Sequence, residues 1–214
     1  MKTFLLSIAV VFMTHTGFSQ KSPYFLSLCD AMPGFQNCKT SKDFIELGDK
    51  FSGIAASDTT EWLADYYYAQ CYIVSSLMEP VGSPQKDKLL DKIEKSVTRI
   101  TRLVPEESEA WTLLGMYYSA RLLVNPPERG YTYIGLSNRA LDKAKNLDPT
   151  NPRVKLMILK NEIGTSQYFG GPIKEFCNKA QTLLAEWDNY KVKSPVHPQW
   201  GKTQAAEIVA GCNL

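Results

Sequence analysis

The residues able to do acid–base, nucleophilic or metal chemistry are few and poorly spaced for it. The chain has two histidines, His15 and His197. His15 falls in an N-terminal segment that reads as removable. His197 sits between Pro195 and Pro198, just before Trp200. A lone imidazole in a proline-bounded turn reads as structural. The neighbouring carboxylates Glu106 and Glu107 follow Pro105 at the start of a helical pattern, where acids complement the helix dipole. No histidine–cysteine spacing suits zinc. The G-x-S-x-G, H-E-x-x-H, Walker and G-x-G-x-x-G patterns are all missing. The expectation is a protein that is not an enzyme and uses no metal and no cofactor.

Five cysteines remain: Cys29, Cys38, Cys71, Cys177 and Cys212. In an oxidising compartment thiols pair and stay paired. An odd count leaves at least one free or paired between chains. Cys29 and Cys38 flank the turn-like triplet Met32-Pro33-Gly34, so theirs is the expected disulfide. Cys177 with Cys212 is the second candidate, with Cys71 left over. The plainer reading of Cys71 and Cys177 is a small buried apolar residue in a helix.

The compartment follows from the first residues. Lys2 precedes an apolar run over residues 4–13 (FLLSIAVVFM), too short to span a bilayer. Gly17 and Ser19 suit cleavage between Ser19 and Gln20. The expected organisation is a signal peptide over 1–19, an N-terminal extension over 20–40 and a helical domain over 41–214. No transmembrane segment is expected after cleavage, and the destination is the periplasm or the exterior. The net charge is +2 for the whole chain. That near-neutral balance gives no electrostatic reason to bind nucleic acid, and no run of like charge suggests a polybasic membrane patch.

The remaining pattern is helical almost throughout. Ser41 is a candidate N-cap ahead of Phe44, Leu47, Phe51 and Ile54. Asp58 or Thr59 can cap a helix beginning near Glu61 and carrying Trp62, Leu63, Tyr66 and Tyr67. Pro80 to Pro84 breaks it. A helix from about Gln85 to Leu103 shows Leu89, Ile93, Val97 and Ile100 on one stripe. Pro105 opens the helix of Trp111, and Asn125-Pro126-Pro127 ends it. Residues 129–135 read as a linker before a helix running to Leu147. Val154, Met157, Ile158 and Ile163 mark the next helix, ended by Gly170-Gly171-Pro172. Phe176, Ala180, Leu183 and Trp187 mark another, and a short helix spans Lys202 to Ala210. No alternating run reads as a strand.

One motif organises these helices. Trp111-Thr112-Leu113-Leu114-Gly115-Met116-Tyr117-Tyr118 fits W-x2-L-G-x2-Y throughout. Ala140, Ala144 and Leu147-Asp148-Pro149 follow as a second helix with a closing proline. This stretch resembles the tetratricopeptide repeat. Trp111, Leu114 and Tyr118 share a helical face, and Gly115 beside them lets the partner helix approach. The resemblance implies an all-α, antiparallel helix-hairpin array, an α-α superhelix of about three repeats plus flanking helices. The closing prolines Pro105 and Pro149 lie 44 positions apart, against a usual period of about 34. Leu147-Asp148-Pro149-Thr150-Asn151-Pro152, Tyr168-Phe169-Gly170-Gly171 and Ser194-Pro195-Val196-His197-Pro198 resemble signatures of exported repeat proteins of Bacteroidetes-type bacteria, which implies location and architecture, not activity.

Two surfaces are candidates for binding. Each hairpin carries extra residues in its inner turn: 79–85, 125–135 and 168–172. Such insertions often form a binding face, and Arg129, Tyr131, Tyr133, Tyr168 and Phe169 are residue types that anchor interfaces. The repeat resemblance implies a second surface, a concave face lined by Tyr67, Gln70, Thr112, Met116, Ser119, Lys155 and Glu162. The expected function is a protein- or peptide-binding scaffold; the alternative is a small-molecule or glycan binder using the tyrosine-rich turns. No sequence feature specifies the partner or an oligomeric state.

Overall fold

The computed structural model describes residues 22–78 and 82–212, and every regular element among them is helical. The all-α expectation holds. The expected signal peptide lies outside the described residues. The order is α1 (Pro23–Ala31), α2 (Ser41–Ser57), α3 (Leu63–Leu77), α4 (Ser83–Leu103), α5 (Ser108–Val124), α6 (Pro126–Leu147), α7 (Pro152–Tyr168), α8 (Cys177–Glu186) and α9 (Lys202–Gly211). Short 3-10 turns follow α1, precede α8 and follow α8.

Local chemistry sets most boundaries within a residue or two of expectation. The cap of α2 is Thr40 rather than Ser41. Its hydroxyl accepts the Asp43 N–H, and the Asp43 carboxylate accepts the Thr40 N–H at 2.8 Å, a reciprocal box. α3 starts at Leu63, slightly later than expected, because Asp58 closes a turn of its own. Its Oδ1 accepts the N–H and hydroxyl of Thr60 at 2.9 and 2.6 Å. Asp148 does the same with Thr150 at the same two distances. The chain thus reuses one turn device ahead of α3 and α7.

Each helix packs on the next, and α3 packs on α5 and α5 on α7. α5 and α6 approach each other closely at the Trp111 motif. A β-carbon at Gly115 would lie 2.6 Å from Leu141 Cγ. Leu141, Ala140 and Ala144 of α6 are buried there. The Trp111 indole N–H donates to the Pro105 carbonyl at 2.8 Å, fixing the entry to α5. A large core runs from Tyr24 through Met157, and a second, smaller one joins α7, α8 and α9.

Two expectations are corrected. Residues 129–135 are not a linker but part of the first turns of α6, a helix of 22 residues that begins at Pro126. Pro126 and Pro127 fit a first turn, where a missing N–H costs nothing and φ is preset. Arg129 and Tyr133 then find partners on α4 and α5, which holds the extension despite Gly130 and Gly135. The disulfide joins Cys177 to Cys212, and Cys29 and Cys38 are free thiols. Met32-Pro33-Gly34 does not reverse the chain. α1 runs directly into a 3-10 turn over residues 32–37, carrying Cys38 away from Cys29.

Candidate ligand groove

On α7, Lys155, Ile158, Glu162 and Thr165 recur at helical spacing and share one face. That face is the floor of an open groove. Asn138, Asp142 and Lys145 of α6 form one wall; Phe176, Lys179, Thr182 and Leu183, on and just before α8, form the other. The groove comprises two adjoining volumes of about 460 and 620 Å³ that share Ile158, Glu162 and Lys179. Small-molecule sites fall in this range.

Its chemistry is apolar contact rimmed by ammonium and carboxylate groups. Ile158, Leu159, Leu183 and Phe176 supply the apolar surface. Lys179 pairs with Glu162 at 2.8 Å and Lys155 with Glu186 at 3.4 Å. Lys145 makes no ion pair among the described residues, so its ammonium is open to a ligand carboxylate. No histidine, cysteine or methionine lines the groove.

One end of the groove runs up to an aromatic edge. Asn161 of α7 donates to Asn138 Oδ1 of α6 at 3.0 Å and to Ser137 Oγ at 2.9 Å. Tyr131 and Tyr168 each lie seven residues beyond that contact on their antiparallel helices, so both stand about 10 Å further along. Tyr131 is 96% exposed, and Tyr168 meets Phe169 edge-on at 5.2 Å with Phe169 80% exposed. Gly170, at φ 81°, provides the left-handed turn that ends α7 below them.

The structure separates the remaining expected binding residues. Arg129 is committed: its two terminal nitrogens donate to the Asp87 carboxylate at 2.6 and 2.8 Å. Arg121 reaches the same carboxylate at 3.0 Å and Asp91 at 2.5 Å. These contacts tie α4, α5 and α6 together, and they hold the Asp87 carboxyl below the usual range. Tyr133 is half-buried against Tyr118. Tyr67, Gln70, Thr112 and Met116 are buried. Ser119 bonds Gly115, Ser137 and Asn161 inside the packing. Only Lys155 and Glu162 of the expected concave set line the groove, and they do so with Ile158 and Phe176, which the sequence marks only as apolar helix positions, and with Lys145 and Lys179, which it does not single out. The stripe on α7 was visible at helical spacing, but which neighbours would leave it uncovered was not.

The chain is similar in structure to the HusA haemophore from Porphyromonas gingivalis. The likeness covers 90% of this chain and 94% of that one at 29% sequence identity, with a TM-score of 0.75. No family model and no curated protein matches the chain.

Proposed function

We propose that this chain is an exported, non-catalytic binding protein that captures a flat, mostly apolar small molecule in the α6–α7–α8 groove, with haem-type tetrapyrroles as the ligand class. The observation that carries this reading is the likeness to a haemophore over nearly the full length of both chains. The groove supports it on chemistry. Ile158, Leu183 and Phe176 suit the face of a macrocycle, and Lys145 suits an acidic side group on its rim. The Cys177–Cys212 disulfide fits an oxidising compartment. The haemophore likeness favours a small-molecule ligand over a protein or peptide partner, held in the α6–α7–α8 groove rather than on the tyrosine-rich turns.

Titration of the full chain with haem, followed by the Soret band, tests it. The expected result is a saturable spectral shift. Thr182→Trp, placed on an exposed wall residue, fills the groove and weakens binding at least about tenfold, equivalent to about 1.4 kcal/mol. Tyr131→Ala with Phe169→Ala leaves binding unchanged. No spectral change with the wild-type chain rejects the reading. Loss of binding only in the Tyr131/Phe169 variant moves the ligand to the aromatic edge.

A further inference from the structure

Residues 190–201 connect the last 3-10 turn to α9 without regular structure. This strap crosses the N-terminal turns of α3, α5 and α7. The Tyr67 hydroxyl donates to the Val196 carbonyl at 2.8 Å. The Trp200 indole N–H donates to the Tyr66 hydroxyl at 2.7 Å. His197 meets the Trp62 ring edge-on at 5.8 Å, and Lys193 pairs with Glu107 at 2.5 Å. The Arg153 guanidinium lies 5.1 Å from the centre of the Tyr190 ring. Val196 is 3% exposed.

α3, α5 and α7 are the first helices of successive hairpins and pack side by side. The inner face of such a row is the extended surface that helical-repeat arrays offer to partners. Here an extended segment already lies across the N-terminal end of that row, and it is the chain's own. Its contacts have the form of peptide recognition: a main-chain carbonyl held by a buried tyrosine, an indole anchor, and two prolines, Pro195 and Pro198, that disfavour helix. Tyr67 is buried between the Phe35 and Phe51 rings, at 5.7 and 5.1 Å, and the strap carbonyl accepts from its hydroxyl.

We propose that the strap is an intramolecular ligand that closes the N-terminal end of the α3–α5–α7 row to other chains, and that the Cys177–Cys212 disulfide is the latch that keeps it seated. Cys177 is the first residue of α8 and Cys212 directly follows α9, so their bond closes a loop containing the whole strap. With the bond intact, α9 is held against α8 and both strap ends are fixed. A dithiol reductant opens the latch by thiol–disulfide exchange. Cys177 and Cys212 each gain a proton and become thiols, while the dithiol closes its own disulfide. The partner that fits the vacated surface is an extended segment with a proline-flanked apolar residue followed by a tryptophan. The strap and the ligand groove lie on different faces of α7. Arg153 under the strap and Glu162 in the groove are nine residues apart, which at about 100° per residue places them on opposite faces of α7.

The test uses the full chain and a fluorescent synthetic peptide of residues 190–201, read by polarisation. The oxidised protein is expected to bind it weakly. The chain reduced with dithiothreitol, and the Cys177→Ser/Cys212→Ser variant, are expected to bind at least about tenfold more tightly. Trp200→Ala keeps the disulfide and removes the anchor, so it guards against loss of the C-terminal fold in the double variant. It is expected to bind the peptide at least about threefold more tightly than the oxidised wild type. Equal binding by the oxidised and reduced wild type overturns the proposal. So does an absence of binding by the reduced chain, the double variant and Trp200→Ala alike.

Discussion

The Arg153 Nε donates to Glu109 Oε1 at 2.7 Å, joining the first turns of α7 and α5 with each side chain 2% exposed. The two residues are 44 positions apart, the same spacing as Pro105 and Pro149, so the pair links equivalent points of adjacent hairpins. Asn151 donates to the same oxygen at 2.5 Å, and Tyr66 donates to the other at 3.3 Å. Burial pushes the Glu109 carboxyl up, against the opposing pull of Arg153. Arg153→Met leaves that carboxylate buried and uncompensated, and urea unfolding should show a loss of about 3–5 kcal/mol. Glu109→Leu combined with Arg153→Met should cost less than Arg153→Met alone, because no unpaired charge remains.

The contact between Gly115 and Leu141 yields a second expectation. Gly115→Ala improves helix propensity by about 1 kcal/mol, but its methyl collides with a fully buried leucine in the packed α5–α6 interface. Overpacking of this kind costs about 1–3 kcal/mol. The net result should be destabilisation, measured as a lower thermal midpoint. Adding Leu141→Ala to Gly115→Ala should cost less than the sum of the two single changes, since each removes part of the other's penalty.

Stability should fall towards acid in two separable steps. Burial lowers the His197 pKa from its ordinary 6.5 against the opposing pull of Glu107, with Lys193 and Arg153 acting in the same direction as burial. A folded value below the unfolded one means that its contribution is fully present above pH 6.5 and fades as pH falls through the folded value. Asp87 follows the same sign, with Arg129 and Arg121 lowering it from 3.8. Its contribution is complete above about pH 4 and fades below. In urea midpoints measured from pH 8 to pH 3, His197→Gln should flatten the upper step and Asp87→Asn should reduce the lower one, to which the similarly lowered Asp43 and Asp58 also contribute. A profile unchanged by either substitution would contradict the assignment.

The disulfide sets the fourth expectation. Cys177 and Cys212 are 35 positions apart, and closing a loop of that length restricts the unfolded chain by about 3–4 kcal/mol on the entropic account. Cys177→Ser/Cys212→Ser should lower stability by up to that amount. Cys29→Ser/Cys38→Ser should leave the disulfide count of the oxidised protein unchanged by mass spectrometry.

The local signals were readable because they act within a turn or two. Helical spacing announced the array, Trp111 and Gly115 announced a close hairpin, and the prolines marked most breaks. Where a local signal admitted two outcomes, distant contacts chose between them. Asn125-Pro126-Pro127 could end one helix or also begin another. It does both, because Arg129 finds Asp87 42 positions away and Tyr133 finds Tyr118. A turn-like triplet between Cys29 and Cys38 suggested a bridge, yet the helical path of residues 23–37 kept those thiols apart while α9 returned Cys212 to α8. The covering of the N-terminal end of the α3–α5–α7 row was least visible. Tyr67 meets Val196 across 129 positions and Tyr66 meets Trp200 across 134. Periodicity and capping are short-range and therefore written along the chain. Which face of a helix is covered, and by what, depends on segments that approach only after the array has folded.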